Sequence, residues 1–288
     1  MVLPKIGSFW AGLELSFLEQ LCLQSFVDCG HEVTLYSYDK IRNAPKGVKL
    51  VDASKIVPDP HRCAHMKVGN LAAFSDRFRM LMIQKTGEVW VDCDVVCLKP
   101  LPDDPYLIAP ASPRQLCNAV FRLPPESPAL QGLLKMLNRP DPFFEADWRN
   151  ERPIRRVVRE KGVELLPAEE GGFTVSLDDL PKMHYTLFGP IAVNYFLKKT
   201  GESAHALGAK AFNPFDPFSI RKNYFRPQRN PLELTDESYT VHHIGGKPMR
   251  KKFARQEEFV PPHPASLIGK LCKKHEIDPM GAPPRVNY

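Results

Sequence analysis

Two carboxylates, Asp92 and Asp94, stand inside an otherwise apolar stretch, Glu88-Val89-Trp90-Val91-Asp92-Cys93-Asp94-Val95-Val96-Cys97-Leu98. Its β-branched and aromatic content reads as a strand, yet aspartate is depleted in strands. Side chains two apart share one strand face, so the acids project together while Val91, Cys93 and Val95 turn into packing. Neighbouring carboxylates repel unless a cation or hydrogen-bond donors lie between them. A hard divalent ion, Mn2+ or Mg2+, resolves the repulsion. An edge strand with two solvated acids is the alternative, and Asp-x-Asp is too short a pattern to decide between the two.

A third metal-ligating type appears late, in Tyr239-Thr240-Val241-His242-His243-Ile244-Gly245-Gly246. Neutral histidine is a common metal ligand. The segment reads as a short strand entering a glycine turn, and in a strand His242 and His243 face opposite ways, so one of them reaches a given site. A structural pair of histidines is the alternative. Gly245 and Gly246, with Lys247, Arg250, Lys251 and Lys252 after them, have the composition of a lid closing over a diphosphate.

These residues need elements to position them. Leu71, Phe74, Phe78 and Leu81 recur at helical spacing, with Lys85 in the last turn and Gly87 beyond it as the stop. At the N-terminus, residues 2–9 read as a strand, Leu13 to Cys29 as a helix ended by Gly30, and 31–38 as a second strand. Strand, helix, strand is a βαβ unit with a parallel sheet, in which ligands gather beyond the carboxyl ends of strands. Trp10 stands at such an end, where an indole face suits a planar base; filling the core is its other use. Val48–Val51, Tyr106–Ala109 and Cys117–Phe121 read as strands, and 128–137, 153–161 and 191–198 as helices. Pro264 to Ile277 reads as a surface helix with Leu267, Leu271 and Cys272 inward.

In order, Ser75-Asp76-x-x-Arg79, a glycine-ended helix, Trp90 and Asp92-x-Asp94 resemble glycosyltransferases with a DXD sugar-binding region. That group includes fungal initiating mannosyltransferases, α-1,4-galactosyltransferases and clostridial glucosylating toxins. The resemblance extends to Ile6-x-x-x-Trp10-x-Gly12, to Gly189-Pro190 before a helix, and to a late histidine aligned with His242. It departs at Ile244, where such enzymes usually show tryptophan. It implies an α/β fold of GT-A type, a mostly parallel mixed sheet flanked by helices, with a single domain over 1–255. Within it, 1–125 would be the donor-binding half and 126–255 the acceptor side, leaving 256–288 as a C-terminal helix and tail.

By the same resemblance, Asp92 and Asp94 hold a metal on the diphosphate of a nucleotide sugar, with His242 as the third ligand. Asp76 and Arg79 contact the donor sugar and phosphate, Trp10 and Gly12 lie beside the base, and Asn118 lines the donor pocket. Lys247 adds charge. The donor is expected to be UDP-galactose or UDP-glucose, and the acceptor a glycan or glycolipid in cell-surface polysaccharide synthesis. Transfer is expected with retention of anomeric configuration.

The chain has 288 residues, 43% hydrophobic and 25% charged, with a net charge of +6. That composition fits an ordinary globular protein. No run approaches the roughly 18 apolar residues of a membrane helix, and Pro4, Lys5 and Glu14 break up the N-terminus as a signal peptide. A cytoplasmic protein is expected, in peripheral contact with the inner membrane face through its basic C-terminal region. Seven cysteines without repeated spacing read as reduced thiols. Cys63-Ala64-His65 lacks a second ligand pair for zinc, and His61 and His65 read as surface residues of a loop. No Gly-x-Gly-x-x-Gly or P-loop lysine follows the first strand, and no nucleic-acid partner is expected. Two other classes stay open. A metal phosphohydrolase would need more converging Asp and His than the chain offers, and an inactive nucleotide-sugar-binding protein would bind without transfer.

Overall fold

The N-terminal strand–helix–strand forms as its spacing predicts, although the helix starts later than expected. In the computed structural model, which describes residues 2–112, 115–139, 141–215, 227, 234–242 and 259–284, the first elements are β1 (Ile6–Phe9), α1 (Phe17–Asp28), β2 (Val33–Ser37) and β3 (Val48–Asp52). Then come α2 (Ala64–Lys67), α3 (Leu71–Thr86), β4 (Val89–Val91), β5 (Val95–Cys97), β6 (Leu107–Ser112) and β7 (Gln115–Arg122). The rest are α4 (Pro128–Leu137), α5 (Arg152–Lys161), β8 (Leu166–Pro167), β9 (Phe173–Thr174), α6 (Pro190–Thr200), β10 (Thr240–His242) and α7 (Leu267–Lys274). A capping box sets the start of α1. The Glu19 carboxylate accepts the Ser16 amide at 2.8 Å and the Ser16 hydroxyl at 2.5 Å, so residues 13–16 stay outside the helix.

Two compact units interleave along the chain: Met1–Ala53 with Glu88–Arg122 and Ala206–Tyr288, and Ser54–Gly87 with Leu123–His205. They cut across the halves 1–125 and 126–255, because α3 belongs with the later helices. The first unit is α/β, a six-stranded sheet in the order β3-β2-β1-β4-β7-β6. Neighbours from β3 to β4 are parallel, while β7 runs antiparallel to both β4 and β6. β1 and β2 are buried along their whole length, as near-continuous apolar runs of a covered parallel sheet should be.

The apolar run 88–98 is not one strand. β4 ends at Val91 and the chain resumes as β5, which leaves the large sheet to pair antiparallel with β10. One side of this ribbon is closed by a second core, in which Val96 and Val241 pack with Phe17, Leu18 and Leu21 of α1 and with Ile268, Leu271 and Cys272 of α7. The C-terminal helix is therefore a wall of this core, with Ile268 more deeply set than the expected Leu267. Within the described residues no helix is long and apolar enough to cross a membrane.

In the second unit, α3 follows the predicted spacing. The Asn70 side chain caps its start by accepting the Ala73 amide, and Gly87 closes it at φ 69°, a left-handed conformation that costs glycine little. Phe74, Phe78 and Leu81 are buried, but Leu71 in the first turn is exposed. α4 and α6 approach closely at Gly132, where an added Cβ would meet the Phe196 ring at 2.4 Å. Phe144, stacked on Phe173 at 5.1 Å, meets Trp148 edge-on at 5.6 Å to fill the remaining space.

His65 is not on the surface. α2 turns it inward against the ring of Phe188, centroids 4.3 Å apart, and it is 2% exposed. His61 is exposed, as expected. Burial, aided by the positive charge of Arg77, pushes the His65 pKa down to about 4. An unfolded imidazole titrates near 6.5, so between about pH 6.5 and 4 the unfolded chain binds a proton that the folded one refuses. Stability supplied by neutral His65 is therefore complete above that window and falls as pH drops through it, by roughly 2–3 kcal/mol at the bottom. We predict that urea unfolding at pH 7 and pH 4.5 will show this loss, and that His65→Gln will flatten the difference. An equal pH dependence in the variant would remove His65 as the cause.

Candidate functional site

The carboxyl ends of β1 and β4 meet at one edge of the sheet. β1 and β4 are parallel with Gly7 beside Trp90, which brings Trp10, just past β1, level with the residues just past β4. Those residues are Asp92, Cys93 and Asp94. They form a turn, closed by the Val95 amide donating to the Asp92 carbonyl at 3.1 Å. The expected alternation of the two acids along a strand is thus corrected: they sit at a strand break, where aspartate is favoured. They still converge, because the turn presents both ends to the same side.

Backbone pairing supplies the third group. β10 runs antiparallel to β5 with His242 opposite Val95, so the imidazole lies beside Asp94. His242 Nε2 is 3.1 Å from Asp94 Oδ1. One ligand atom from each of Asp92, Asp94 and His242 lies within 4.8 Å of the others, the one such His/Cys/Asp/Glu group among the described residues. His243 and Lys247 fall outside the described residues, as does the rest of the expected glycine-lysine lid.

Burial disfavours a charged imidazole at His242, but the Asp94 carboxylate outweighs it and raises the pKa well above its ordinary value. The donors fit a divalent ion. Two carboxylate oxygens and an imidazole nitrogen are the hard and borderline ligands that Mn2+ and Mg2+ accept, and adjacent ligands in an octahedral shell at about 2.1 Å stand roughly 3 Å apart, the His242–Asp94 spacing. Cys93, between the acids, is not one of the converging ligand groups. Burial first, then the charges of Glu19, Asp92 and Asp94, raises its pKa well above the usual thiol value.

Two further groups touch this cluster: Trp90, read from the sequence only as the aromatic of the motif, and Cys117, which sequence reasoning missed. The Trp90 indole donates to Asp92 Oδ1 at 2.6 Å, orienting that carboxylate. The Cys117 sulfur lies 3.8 Å from His242 Nδ1, the ring nitrogen left over when Nε2 faces the acids. The Trp90 contact is local, between residues two apart, whereas the Cys117 contact depends on β7 and β10 arriving from elsewhere in the chain, which spacing alone does not flag. Asn118 lies next to Cys117 in β7 and is buried; its neighbour Ala119 accepts the Asp92 amide at 2.8 Å. Trp10 is half-buried with its indole nitrogen donating to the Glu14 carbonyl at 3.1 Å, and the Gly12 amide donates to Asp39 at 2.8 Å.

Asp76 and Arg79 belong to the second unit. One helical turn apart on α3, they form an ion pair of 3.1 Å with both side chains buried. Against Asp76 lies the start of α6, where a Cβ added to Gly189 would come within 2.4 Å of Asp76 Oδ2. The Gly-Pro turn read from the sequence is therefore required by close approach to a carboxylate. Pro190 at the first helical position loses no hydrogen bond there.

No protein-family model matches the chain. A segment of 87 residues, 30% of the chain, is 33% identical to the alpha-1,4-N-acetylglucosaminyltransferase of Homo sapiens and spans 25% of that protein. The solved structure of the PaToxG glycosyltransferase aligns over 68% of this chain and 68% of its own, with a TM-score of 0.43 and 11% sequence identity. The chain is thus similar, over part of its length, to a glycosyltransferase, and it spans about a quarter of that curated relative.

The Gly189 contact yields a direct test. We predict that Gly189→Ala lowers stability by about 1–3 kcal/mol, the usual cost of forcing an atom into a filled site. Gly208→Ala, where an added Cβ meets nothing within 4 Å, should stay within about 0.5 kcal/mol. Thermal unfolding of the two variants decides; equal shifts would show that Asp76 yields freely.

Proposed function

We propose that this chain carries a metal-dependent glycosyltransferase centre, which moves a sugar from a nucleotide-diphosphate donor to a glycan or glycolipid acceptor. The observation that carries the reading is the convergence of Asp92, Asp94 and His242 at the carboxyl edge of the parallel strands. The partial likeness to a transferase named for N-acetylglucosamine supports it. Asp92, Asp94 and His242 would hold Mn2+ or Mg2+, which when bound neutralises charge on a leaving nucleoside diphosphate.

The chain's own residues do the rest. Trp90 fixes Asp92 by a hydrogen bond made before any ligand arrives, so that carboxylate needs little reordering on binding. Trp10 and Gly12, at the end of β1, are the base-side contacts in this proposal, and Asn118 borders the same edge. Asp76 and Arg79 enter through the resemblance, as sugar and phosphate contacts. Both are buried against each other, so a donor has to meet the few atoms of the pair left exposed. Lys247 adds a cation. With no side-chain nucleophile assigned, retention follows if the leaving phosphate takes the proton of the incoming hydroxyl.

The resemblance favours UDP-galactose or UDP-glucose as donor, and because the relative is named for N-acetylglucosamine we add UDP-N-acetylglucosamine to the donors to be tested. A GT-A-like domain over 1–255 and a role in polysaccharide synthesis in the cytoplasm belong to the same proposal. A phosphohydrolase is disfavoured because three converging ligands, not more, are found among the described residues.

We predict that Mn2+ raises the melting temperature of the wild type, since an ion that binds the folded state stabilises it by mass action. Asp92→Asn with Asp94→Asn should abolish that shift. Hydrolysis of the three UDP-sugars should require Mn2+, stop with EDTA, and fall by about 10²–10³-fold in the double variant, the scale of losing preorganised charge stabilisation. An undiminished Mn2+ shift in the double variant would end the metal assignment. Release of phosphate from simple esters would favour the hydrolase.

A further inference from the structure

α5 breaks two rules that a solvated helix keeps. Its ten residues hold Arg152, Arg155, Arg156, Arg159 and Lys161 against one acid, Glu160, a balance of five positive charges less one negative, or +4. Arg152, Arg155, Arg156 and Arg159 recur at spacings of three and four, so they lie along one stripe and repel one another. Arg152 is also the first helical residue, at the positive end of the helix dipole, where a cation is disfavoured. Arg156 and Arg159 share Glu160, at 2.7 and 2.8 Å. Among the described residues no carboxylate pairs with Arg152 or Arg155. An ordinary charged surface helix interleaves opposite signs; here one acid serves Arg156 and Arg159, and Arg152 and Arg155 are left with none among the described residues.

The stripe borders a groove within the same unit. Its volume is about 420 Å³; Pro153, Val157, Leu187 and Ile191 supply apolar lining, and Arg152, Arg156 and Lys161 outnumber the one lining acid, Glu160. Val158, 38% exposed, adds a hydrocarbon side chain to the outer surface of the helix. Cations beside hydrocarbon match a phosphate headgroup attached to an acyl chain, as in helices that lie in a membrane interface. Arginines alone would also suit the phosphates of a nucleic acid; the hydrocarbon beside them, with no Phe, Tyr or Trp lining the groove to stack on a base, favours a lipid.

We propose that the exposed face of α5, with the groove beside it, is a docking surface for an anionic phospholipid bilayer. Phosphates meet the arginines, relieving their mutual repulsion, and the apolar lining accepts hydrocarbon. The surface is distinct from the basic run 247–255 and stands independently of the transferase reading, because its test reads binding and not turnover.

The full chain is sedimented with vesicles of phosphatidylcholine and with vesicles in which about a third of the lipid is phosphatidylserine, at roughly 0.1 M salt so that long-range attraction is screened. The wild type should sediment with the anionic vesicles and stay in solution with the neutral ones. Arg152→Gln, Arg155→Gln and Arg156→Gln together should weaken partitioning by on the order of a hundredfold, as expected for three cations at an anionic surface. Their melting temperature should hold or rise, since repulsion is removed. Arg155→Glu alone serves if the triple variant does not fold. A variant of the basic run, Arg250→Gln, Lys251→Gln and Lys252→Gln, should keep most of the binding. The proposal fails if the wild type ignores anionic vesicles, if the α5 variants sediment as well as it does, or if they lose affinity for RNA or heparin but not for vesicles.

Discussion

Repulsion between two carboxylates fixed beside one another is the constraint from which the arrangement of the first unit follows. Asp92 and Asp94 cannot lie in the large sheet, where each would need burial or a partner on a covered face. The chain breaks out of the sheet at that point. β4 ends, a turn carries the acids, and β5 departs to find a new pairing partner. That partner, β10, brings the imidazole that compensates Asp94, and Trp90 supplies the donor that compensates Asp92. One electrostatic demand thus accounts for the position of the strand break and for which side chains surround it.

The ribbon made by β5 and β10 is short, and an isolated two-stranded pair is marginal in water. Its stability comes from the core formed by α1 and α7, where Phe17, Leu18 and Ile268 are almost fully buried. Burying such side chains contributes on the order of 1.5–3 kcal/mol each, far more than the exposed ion pairs of this chain. Hydrophobic packing near the C-terminus therefore holds the geometry of a polar cluster formed at the end of β4. The thiols of Cys22 and Cys93 fit the same division of labour, because burial keeps both protonated and apolar in behaviour.

Local features were legible from the sequence. The glycine stop of α3, the βαβ opening, and the helices at 128–137, 153–161 and 191–198 all rest on periodicity and caps within a few residues of each other. Pairing over distance was not. Nothing in Val95-Val96-Cys97 announces that its neighbour in space is Thr240-Val241-His242, so the sequence alone reads as one strand with alternating acids. The burial of His65 is hidden in the sequence for a related reason. A histidine in a Pro- and His-containing segment looks solvated until the ring of Phe188, more than a hundred residues later, closes over it. Convergence of His242 on the acids was foreseen by chemical type and resemblance; Cys117 behind it was not, since a cysteine within an apolar strand carries no mark of its neighbour.

The ion pair on α3 bears on function by a different route. A buried Asp–Arg pair is weak support for stability, because desolvating both charges offsets much of their attraction, and well-packed apolar residues of similar size often do as well or better. Asp76 and Arg79 are buried together all the same, and Gly189 gives up a side chain to make room for the carboxylate. A fold selected for stability alone would fill that space with carbon. Two charges kept in a dry place at the expense of packing are what the proposed donor contact would call for, groups already in position before a ligand arrives.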